Sequence, residues 1–447
     1  MTLRVAPQEI VANSHSPLLA IADDWERVPL RHVAEITNGA AFKSAQFNNA
    51  GIGMPLIRIR DVGANATKTF YNGDFEQRHV VEDGDLLIGM DGDFRVARWA
   101  GPTALLNQRV CRVRVLDGSC FNETFLEHVL QPYLDAVHEL TSAVTVKHLS
   151  SKTIGDLPIP LPPLPEQRRI VAAIEEHFSR LDAAEAGLRK ASGLAEALVR
   201  AQRESVFSGL TDLSAVETFA HDQCNAMAIG PFGSNLKVSD YRDQGVPLVF
   251  VRDIRRREFG GNGTRFVDPL KAEELASHRV RAGDVLITKM GDPPGDVAVY
   301  DGADAVITAD CIKLTSAPDV LPEYLVEALQ ADAAKRQIES VTRGVAQRKV
   351  SLGRFRKLVS LPRVDLSTQR AIVRDIAKVA STARRADESC RLGLLKAAGL
   401  RRSILAAAFS GKLVPQDPSD ELASVLLQRI AADRAAAKPS PRKRVTA

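Results

Sequence analysis

The chain has 447 residues, which favours about three domains over one. Its hydrophobic share of 45% and charged share of 26% are ordinary for a soluble protein, and no apolar run approaches the ~18 residues of a membrane-spanning helix. The net charge of +4 permits nucleic-acid binding without demanding it, so the distribution of charge must decide. The first residues, M-T-L-R-V-A-P-Q-E-I, lack the apolar centre of a signal peptide. Cys111, Cys120, Cys224, Cys311 and Cys390 are scattered, with no C-x-x-C pair, and read as reduced structural thiols of a cytoplasmic protein.

In chain order, residues 1–24 read as a loose lead-in and the ordered chain as starting at Trp25. Strand-like runs then alternate with turn signals: G-M-P-L-I-R-I-R-D-V (53–62), E-D-G-D-L-L-I-G-M-D-G-D (82–93) and N-Q-R-V-C-R-V-R-V (107–115). The last alternates Val with Arg, as a half-buried strand should. Phe121 to Leu140 reads as a helix or two, interrupted at Pro132, and P-I-P-L-P-P-L-P (158–165) as a stiff extended connector. A single long helix follows, bounded by a first-turn Pro165 and a capping Gly209. Residues 166–208 would span roughly 65 Å. Ile174, Leu181, Leu188 and Ala195 recur every seven, flanked by Ile170, Ala184, Ala191 and Leu198. Such a helix either covers a sheet or lies along another helix.

The second alternative has a candidate partner. Residues 366–373, L-S-T-Q-R-A-I-V, repeat L-P-E-Q-R-R-I-V at 164–171, and Phe409-Ser410-Gly411 repeats Phe207-Ser208-Gly209. Ala383, Cys390 and Gly393 stand where the first copy has Leu181, Leu188 and Ala191. Upstream of each helix the same blocks recur: G-V-P-L-V-F-V-R-D-I (245–254) repeats 53–62, A-G-D-V-L-I (282–287) repeats 83–88, and Val320 to Gln330 repeats Phe121 to Gln131. The chain is therefore a tandem duplication of module and long helix. After it, residues 419–434 suggest one more helix, and K-P-S-P-R-K-R a disordered basic tail.

Catalytic signatures are weak. G-D-P-P-G (291–295) resembles an amino-methyltransferase loop, but Gly295 stands where an aromatic would stack on the flipped base, and a tight turn accounts for it better. Gly411-Lys412 lacks the rest of a phosphate loop, and the nine histidines show no metal spacing. His79 and His278 occupy matching positions before a buried strand, where a structural role is the better reading. What remains is basic surface in or beside loops. The first module offers Lys43, Arg58, Arg60, Lys68, Arg95 and Arg98; the second offers Lys237, Arg252, Arg255, Arg256, Arg257, Arg265 and Lys289. Arginine suits phosphates and guanine edges because its donor fork is planar and permanently charged. Any one of these could equally be solvated surface, and Arg60-Asp61 and Arg252-Asp253 fit a repeated structural ion pair as well as a DNA contact. Phe178, Val199, Leu395 and Leu405 add apolar area beyond the needs of one seam, which marks a subunit interface.

L-P-P-L-P-E-Q-R-R-I-V (161–171), its copy at 366–373, F-S-G-K-L-V-P-Q-D-P-S-D-E (409–421) and the tandem order itself resemble the DNA-specificity subunits of type I restriction–modification systems. The resemblance covers nearly the whole chain. It implies an α+β protein with two target-recognition domains separated by two long helices that form an antiparallel coiled coil with a pseudo-twofold repeat. Its boundaries would be 25–160 and 211–362 for the recognition domains, 161–210 and 363–411 for the helices, and 412–447 for the C-terminal helix and tail. It also implies that each domain reads one half of a split double-stranded DNA site, and that the helices set the gap and dock two methyltransferase subunits, with restriction and translocase subunits as further partners. S-adenosylmethionine, ATP and magnesium would belong to those partners, so this chain would bind no cofactor, metal or membrane and catalyse nothing alone. An orphan methyltransferase with fused recognition domains is the rival, and the absence of a glycine-rich cofactor loop argues against it. A scaffold without DNA affinity would require the basic loops to be incidental.

Overall fold

The computed structural model describes residues 6–141, 149–344 and 348–436. The chain forms two compact units: Met1–Ala186 with Gly393–Ala447, and Gly187–Leu392. Each is α+β, and both follow one plan.

In unit 1 a four-stranded antiparallel sheet runs in the order Ala34–Asn38, Val110–Val115, Leu86–Gly89, Val96–Arg98. A five-stranded mixed sheet runs Phe47–Asn48, Phe70–Tyr71, Met54–Ile57, Ala104–Leu106, Val80–Val81, with Met54–Ile57 and Ala104–Leu106 parallel. Unit 2 repeats the first sheet as Met227–Ile229, Cys311–Leu314, Val285–Thr288, Val297–Val299. It repeats the second as Tyr241–Arg242, Arg265–Val267, Val246–Val249, Ala305–Ile307, Arg279–Val280. Strands as short as these hold because both faces are covered: Leu86 and Ile88 are buried on one face and Leu87 on the other, as are Val285 and Ile287 on one face and Leu286 on the other.

Several local expectations are corrected. Only the first half of 53–62 is strand; Ile59–Asp61 turns as a 3-10 helix, and Val251–Arg256 is helical in the second copy. The cause is the aspartate: Asp61 accepts the backbone N–H of Arg58 at 2.9 Å, and Asp253 that of Phe250 at 2.8 Å, which closes the chain back on itself. In Val110–Val115 the alternation fails at Arg112, which is buried because its guanidinium bonds the carbonyls of Val80 and Arg78. Glu123–Thr141 is one helix that runs through Pro132. Proline costs a helix interior about 3 kcal/mol, but Phe125, Leu126, Val129, Leu130, Tyr133, Leu134 and Val137 are all buried along it. At about 1.5–3 kcal/mol per large side chain, that face outweighs the break. The second copy does break, at Ala331, between Pro322–Gln330 and Asp332–Ser340. Pro158–Leu161 is a strand rather than a free connector, paired antiparallel with Glu26–Pro29 so that Val28 faces Ile159. Nor is the lead-in loose. Pro7–Ala12 is helical, and Ile10, Val11, Leu19 and Ala22 are buried in the core of unit 1.

The long helices are Leu164–Phe207 and Leu366–Phe409, 44 residues each. The core of unit 1 takes Ile170, Val171 and Ile174 from the start of the first and Ala408 and Phe409 from the end of the second. The core of unit 2 takes Ile372 and Ile376 from the start of the second and Phe207 from the end of the first. The helices pair antiparallel. In unit 1 Arg401 meets Asp182 and Glu185 and stacks on Phe178, 5.0 Å from its ring centre; in unit 2 Ser192 donates to Asp387. The expected row is buried or half-buried throughout: Ile174 and Ala195 are buried, Leu181 and Leu188 half-buried, and in the second copy Ile376, Ala383 and Cys390 are buried. Its expected neighbour row is not: Ala184 and Ala191 are exposed, and Leu198 keeps 54% of its surface. The inward flank is instead Phe178, Glu185, Ser192 and Val199. Polar residues hold it, which is why an apolar pattern missed it.

At the C-terminus Ala423–Ala436 forms the expected helix, with Leu426 and Ile430 in the core of unit 1. The basic run 438–444 lies outside the described residues. Among those residues no helix is long and apolar enough to cross a membrane.

Candidate nucleic-acid interface

The motif at the head of each long helix is a structural latch. Gln167 is fully buried; its amide oxygen accepts the backbone N–H of Asn122 at 2.7 Å and its amide nitrogen donates to the Pro162 carbonyl at 2.8 Å. Gln369, equally buried, accepts from Leu321 at 2.8 Å and donates to Val364 at 2.9 Å and Asp319 at 3.0 Å. Each glutamine ties the first turn of its helix to the loop before the module's helix. Without the proline-rich start, the second helix is capped by Asp365, which bonds Ser367 and Thr368 and whose carboxyl is held below the ordinary range, chiefly by the Ser367 hydroxyl. His79 and His278 are likewise structural, each ring Nδ1 sitting on a carbonyl, Asn38 at 3.0 Å and Ile229 at 2.7 Å. Burial, then Arg78, lowers the pKa of His79, which favours its neutral form.

With these removed, the basic residues can be sorted. In unit 1 the turn after Met54–Ile57 and the turn after Leu86–Gly89 converge: the Arg95 guanidinium lies against Gly63, and Ile59 against Gly89. Thr67 locks the first loop, its hydroxyl lying 3.0 Å from both the Leu56 carbonyl and the Asp61 carboxylate, which share its one proton. This brings Arg58, Arg60, Lys68 and Arg95 onto adjoining loops, with Arg60, Lys68 and Arg95 exposed. Arg60 reaches Thr69 and lies 3.9 Å from Asp61, so the aspartate's main work is the backbone cap, not the ion pair. Lys43, also exposed, sits apart on the loop that packs Phe42 against Tyr71. Arg98 does not belong with them. It is held by Glu127 at 2.9 Å, Glu123 at 3.4 Å and the Gly84 carbonyl, on the helix-packed side of its sheet. Arg109, exposed and paired with Asp91 at 2.9 Å, was not anticipated and lies beside the second turn.

In unit 2 the helix Val251–Arg256 and its C-cap Arg257 carry four of the seven basic candidates. Arg255 is tied to Asp296 at 2.8 Å, and Arg252 stacks on Phe250 and donates to Gly263. Arg256 and Arg257 are exposed and make no ion pair among the described residues; Arg257 ends the helix in the left-handed conformation at φ 54°. Arg265 pairs with Asp243 at 2.7 Å, Lys237 is exposed, and Lys289 donates to the Ala309 carbonyl while lying 5.6 Å over the ring of Phe232. Of the contiguous Arg255–Arg257 run, two of three are thus available to phosphate. Arg348, which bonds Asp292 and Glu339, stands next to this face and carried no signal in the sequence. The G-D-P-P-G segment lies in the loop that joins strands Val285–Thr288 and Val297–Val299 there, and among the described residues no cluster of three metal-ligating side chains occurs.

The four residues expected to bind partner subunits divide differently. Phe178 is half-buried, edge-on to His128 at 5.9 Å and covered by Arg401; Leu405 is half-buried on the core of unit 1, and Val199 lies on the inward flank. Only Leu395 is turned to solvent. It is joined by Leu400 in unit 1 and by Leu194, Leu198 and Leu392 in unit 2. These leucines keep roughly half their surface because the seam uses the opposite flank of each helix.

Comparison with known proteins adds the following. A family model described as the type I restriction modification DNA specificity domain matches residues 22–191. The EcoBI specificity subunit of Escherichia coli, a type I restriction enzyme component, is 30% identical over 99% of this chain and 100% of its own length. The EcoKI specificity subunit of Escherichia coli strain K12 is 22% identical over 95% of this chain and 99% of its own. A chain from a solved structure concerned with complex assembly and conformational transition of the type I R-M system superposes with a TM-score of 0.66 at 18% identity, covering 88% of this chain and 99% of that one, a likeness of fold.

Proposed function

This chain belongs to the family of type I restriction–modification DNA-specificity subunits, and from that premise we propose that each of its two modules reads one half of a split DNA site while the long helices set the gap. As a specificity subunit it is non-catalytic by itself and works on DNA within an assembly of restriction–modification subunits. The observation that carries the finer reading is the repetition itself. The latches, caps and buried strands recur in both units, whereas the loops that carry exposed arginine and lysine differ in length and residue. A protein that reads two unrelated half-sites needs just that: one scaffold twice, with separate reading loops. In unit 1 the loops are 58–69 and 89–95; in unit 2 they are the 230–237 loop, Val251–Arg257 and the turn after Val285–Thr288.

The exposed leucines of the two long helices are the proposed seats of methyltransferase subunits, which bring S-adenosylmethionine to the bound site. Restriction and translocase subunits, with ATP and magnesium, would join on that assembly, in the cytoplasm where the DNA is. The test is methylation mapping with the reconstituted complex. The reading predicts modified bases in two short fixed motifs separated by a constant number of unread pairs. A single contiguous motif, or methylation without sequence preference, would overturn it.

A further inference from the structure

The exposed aromatic surface of unit 2 has one conspicuous member. Phe232 keeps 64% of its surface, more than any other aromatic among the described exposed residues. It stands on the loop that follows strand Met227–Ile229, and the loop is rigid at its base. A Cβ on Gly230 would lie 2.0 Å from the Thr308 carbonyl oxygen, so only glycine lets the two backbones meet there. Pro231 is buried, and the Asn235 N–H closes a turn on the Phe232 carbonyl at 2.8 Å. The ring is therefore presented on a fixed stem, backed by the Lys289 ammonium at 5.6 Å.

The duplication supplies an internal control. Gly39 occupies the same place in unit 1, where a Cβ would lie 2.1 Å from the Asn107 carbonyl oxygen; its N–H bonds Val110 as that of Gly230 bonds Cys311. From this shared stem the copies diverge. Phe42, the aromatic of the first loop, packs 4.6 Å from Tyr71, and Met90, which accepts from Leu149 as Lys289 accepts from Val350, is buried in the core. Scaffold positions repeat, while this pair has been turned outward in one copy alone. A residue that stabilised the module would be expected in both. One that reads a base need occur only where the half-site calls for it.

We infer that Phe232, braced by Lys289, is a base-reading residue of unit 2 that makes an apolar contact with a thymine methyl in the major groove of its half-site. Phenylalanine is one of the side chains suited to that methyl, and a lysine alongside places positive charge where the flanking phosphates run. This deepens the split-site reading and rests on it. Lys237, exposed at the far end of the same loop, and Arg348 supply further positive charge to this face, offset by Asp292.

The test uses the full chain in complex with its methyltransferase, acting on duplexes randomised across the site, with Phe232→Ala and Phe232→Leu beside the wild type. We expect Phe232→Ala to lose discrimination at one base pair of one half-site, on the order of tenfold, with the gap and the other half-site unchanged and Phe232→Leu intermediate. Replacing that thymine by deoxyuridine, which removes only the methyl, should reproduce the loss in the wild type and do nothing further to Phe232→Ala. An alanine profile identical to wild type at every position, a uniform fall across all positions, or a failure to assemble with the methyltransferase would each overturn the assignment while the split-site reading stood. A wild type that selects no split site would remove the reading and this inference together.

Discussion

Replacing Gln167 by Ala removes the one side chain that pairs both the Asn122 N–H and the Pro162 carbonyl. Both backbone groups are left without that partner at a buried to half-buried site, where each costs about 1–3 kcal/mol. A loss of roughly 3 kcal/mol follows for unit 1. Gln369→Ala strands three groups, on Leu321, Val364 and Asp319, and should cost unit 2 about 1 kcal/mol more. The units are separate compact bodies, so one two-state transition does not describe the chain, and native-state hydrogen exchange is the suitable assay. Gln167→Ala should accelerate exchange in peptides around residues 119–126 and 162–171 and leave 318–325 at wild-type rates; Gln369→Ala should do the reverse. Gln77→Ala, an exposed glutamine, is the control and should move nothing by more than about 0.5 kcal/mol. If either latch variant matched that control, or if both softened both units alike, the latch account would be wrong.

Arg256→Ala with Arg257→Ala should reduce the salt dependence of DNA binding by about 0.9 in slope per lost phosphate contact, whereas Arg98→Ala should destabilise unit 1 without changing that slope; titration across salt concentrations decides. Asp replacing Leu194 or Leu395, both 60% exposed, should abolish co-purification with the methyltransferase while leaving the circular dichroism spectrum intact. Burial raises the carboxyl pKa of Glu166, which among the described residues accepts a side-chain hydrogen bond from Trp25 alone, at 3.2 Å. A group protonated more tightly when folded lends stability below its unfolded pKa and loses it as pH rises through the folded value. Glu166→Gln, which keeps an acceptor for Trp25, should therefore gain in melting temperature over wild type as pH climbs from about 4 to 7, and a gap that shrinks with pH would contradict the sign.

The features legible in the sequence were the ones written as period and repetition. Two long helices and the tandem order of module and helix follow from apolar residues recurring every seven and from blocks that return in order, while the antiparallel sense of the pair came from the family resemblance. Legibility ended where a polar residue does structural work. Glu185 and Ser192 line the helix seam because Arg401 and Asp387 meet them, whereas the apolar pattern alone placed Phe178 and Val199 of that flank at a subunit interface. Arg112 looked like an exposed tooth of an alternating strand until its guanidinium found the Val80 carbonyl. Arg98 and Arg255 looked as available as Arg256, and only Glu127 and Asp296 distinguish them. Phe232 was invisible for the opposite reason, since composition assigns a phenylalanine to the core.

The split-site account is tested most directly by lengthening the helices. One heptad inserted at Gly187 of the first helix, with one at Gly393 of the second, keeps the seam in register and adds about 10 Å. At about 3.4 Å per base pair that is three pairs. Methylation mapping of this variant complex should find both half-sites unchanged and the unread gap longer by about three base pairs; a gap of the original length, or altered half-sites, would contradict the account.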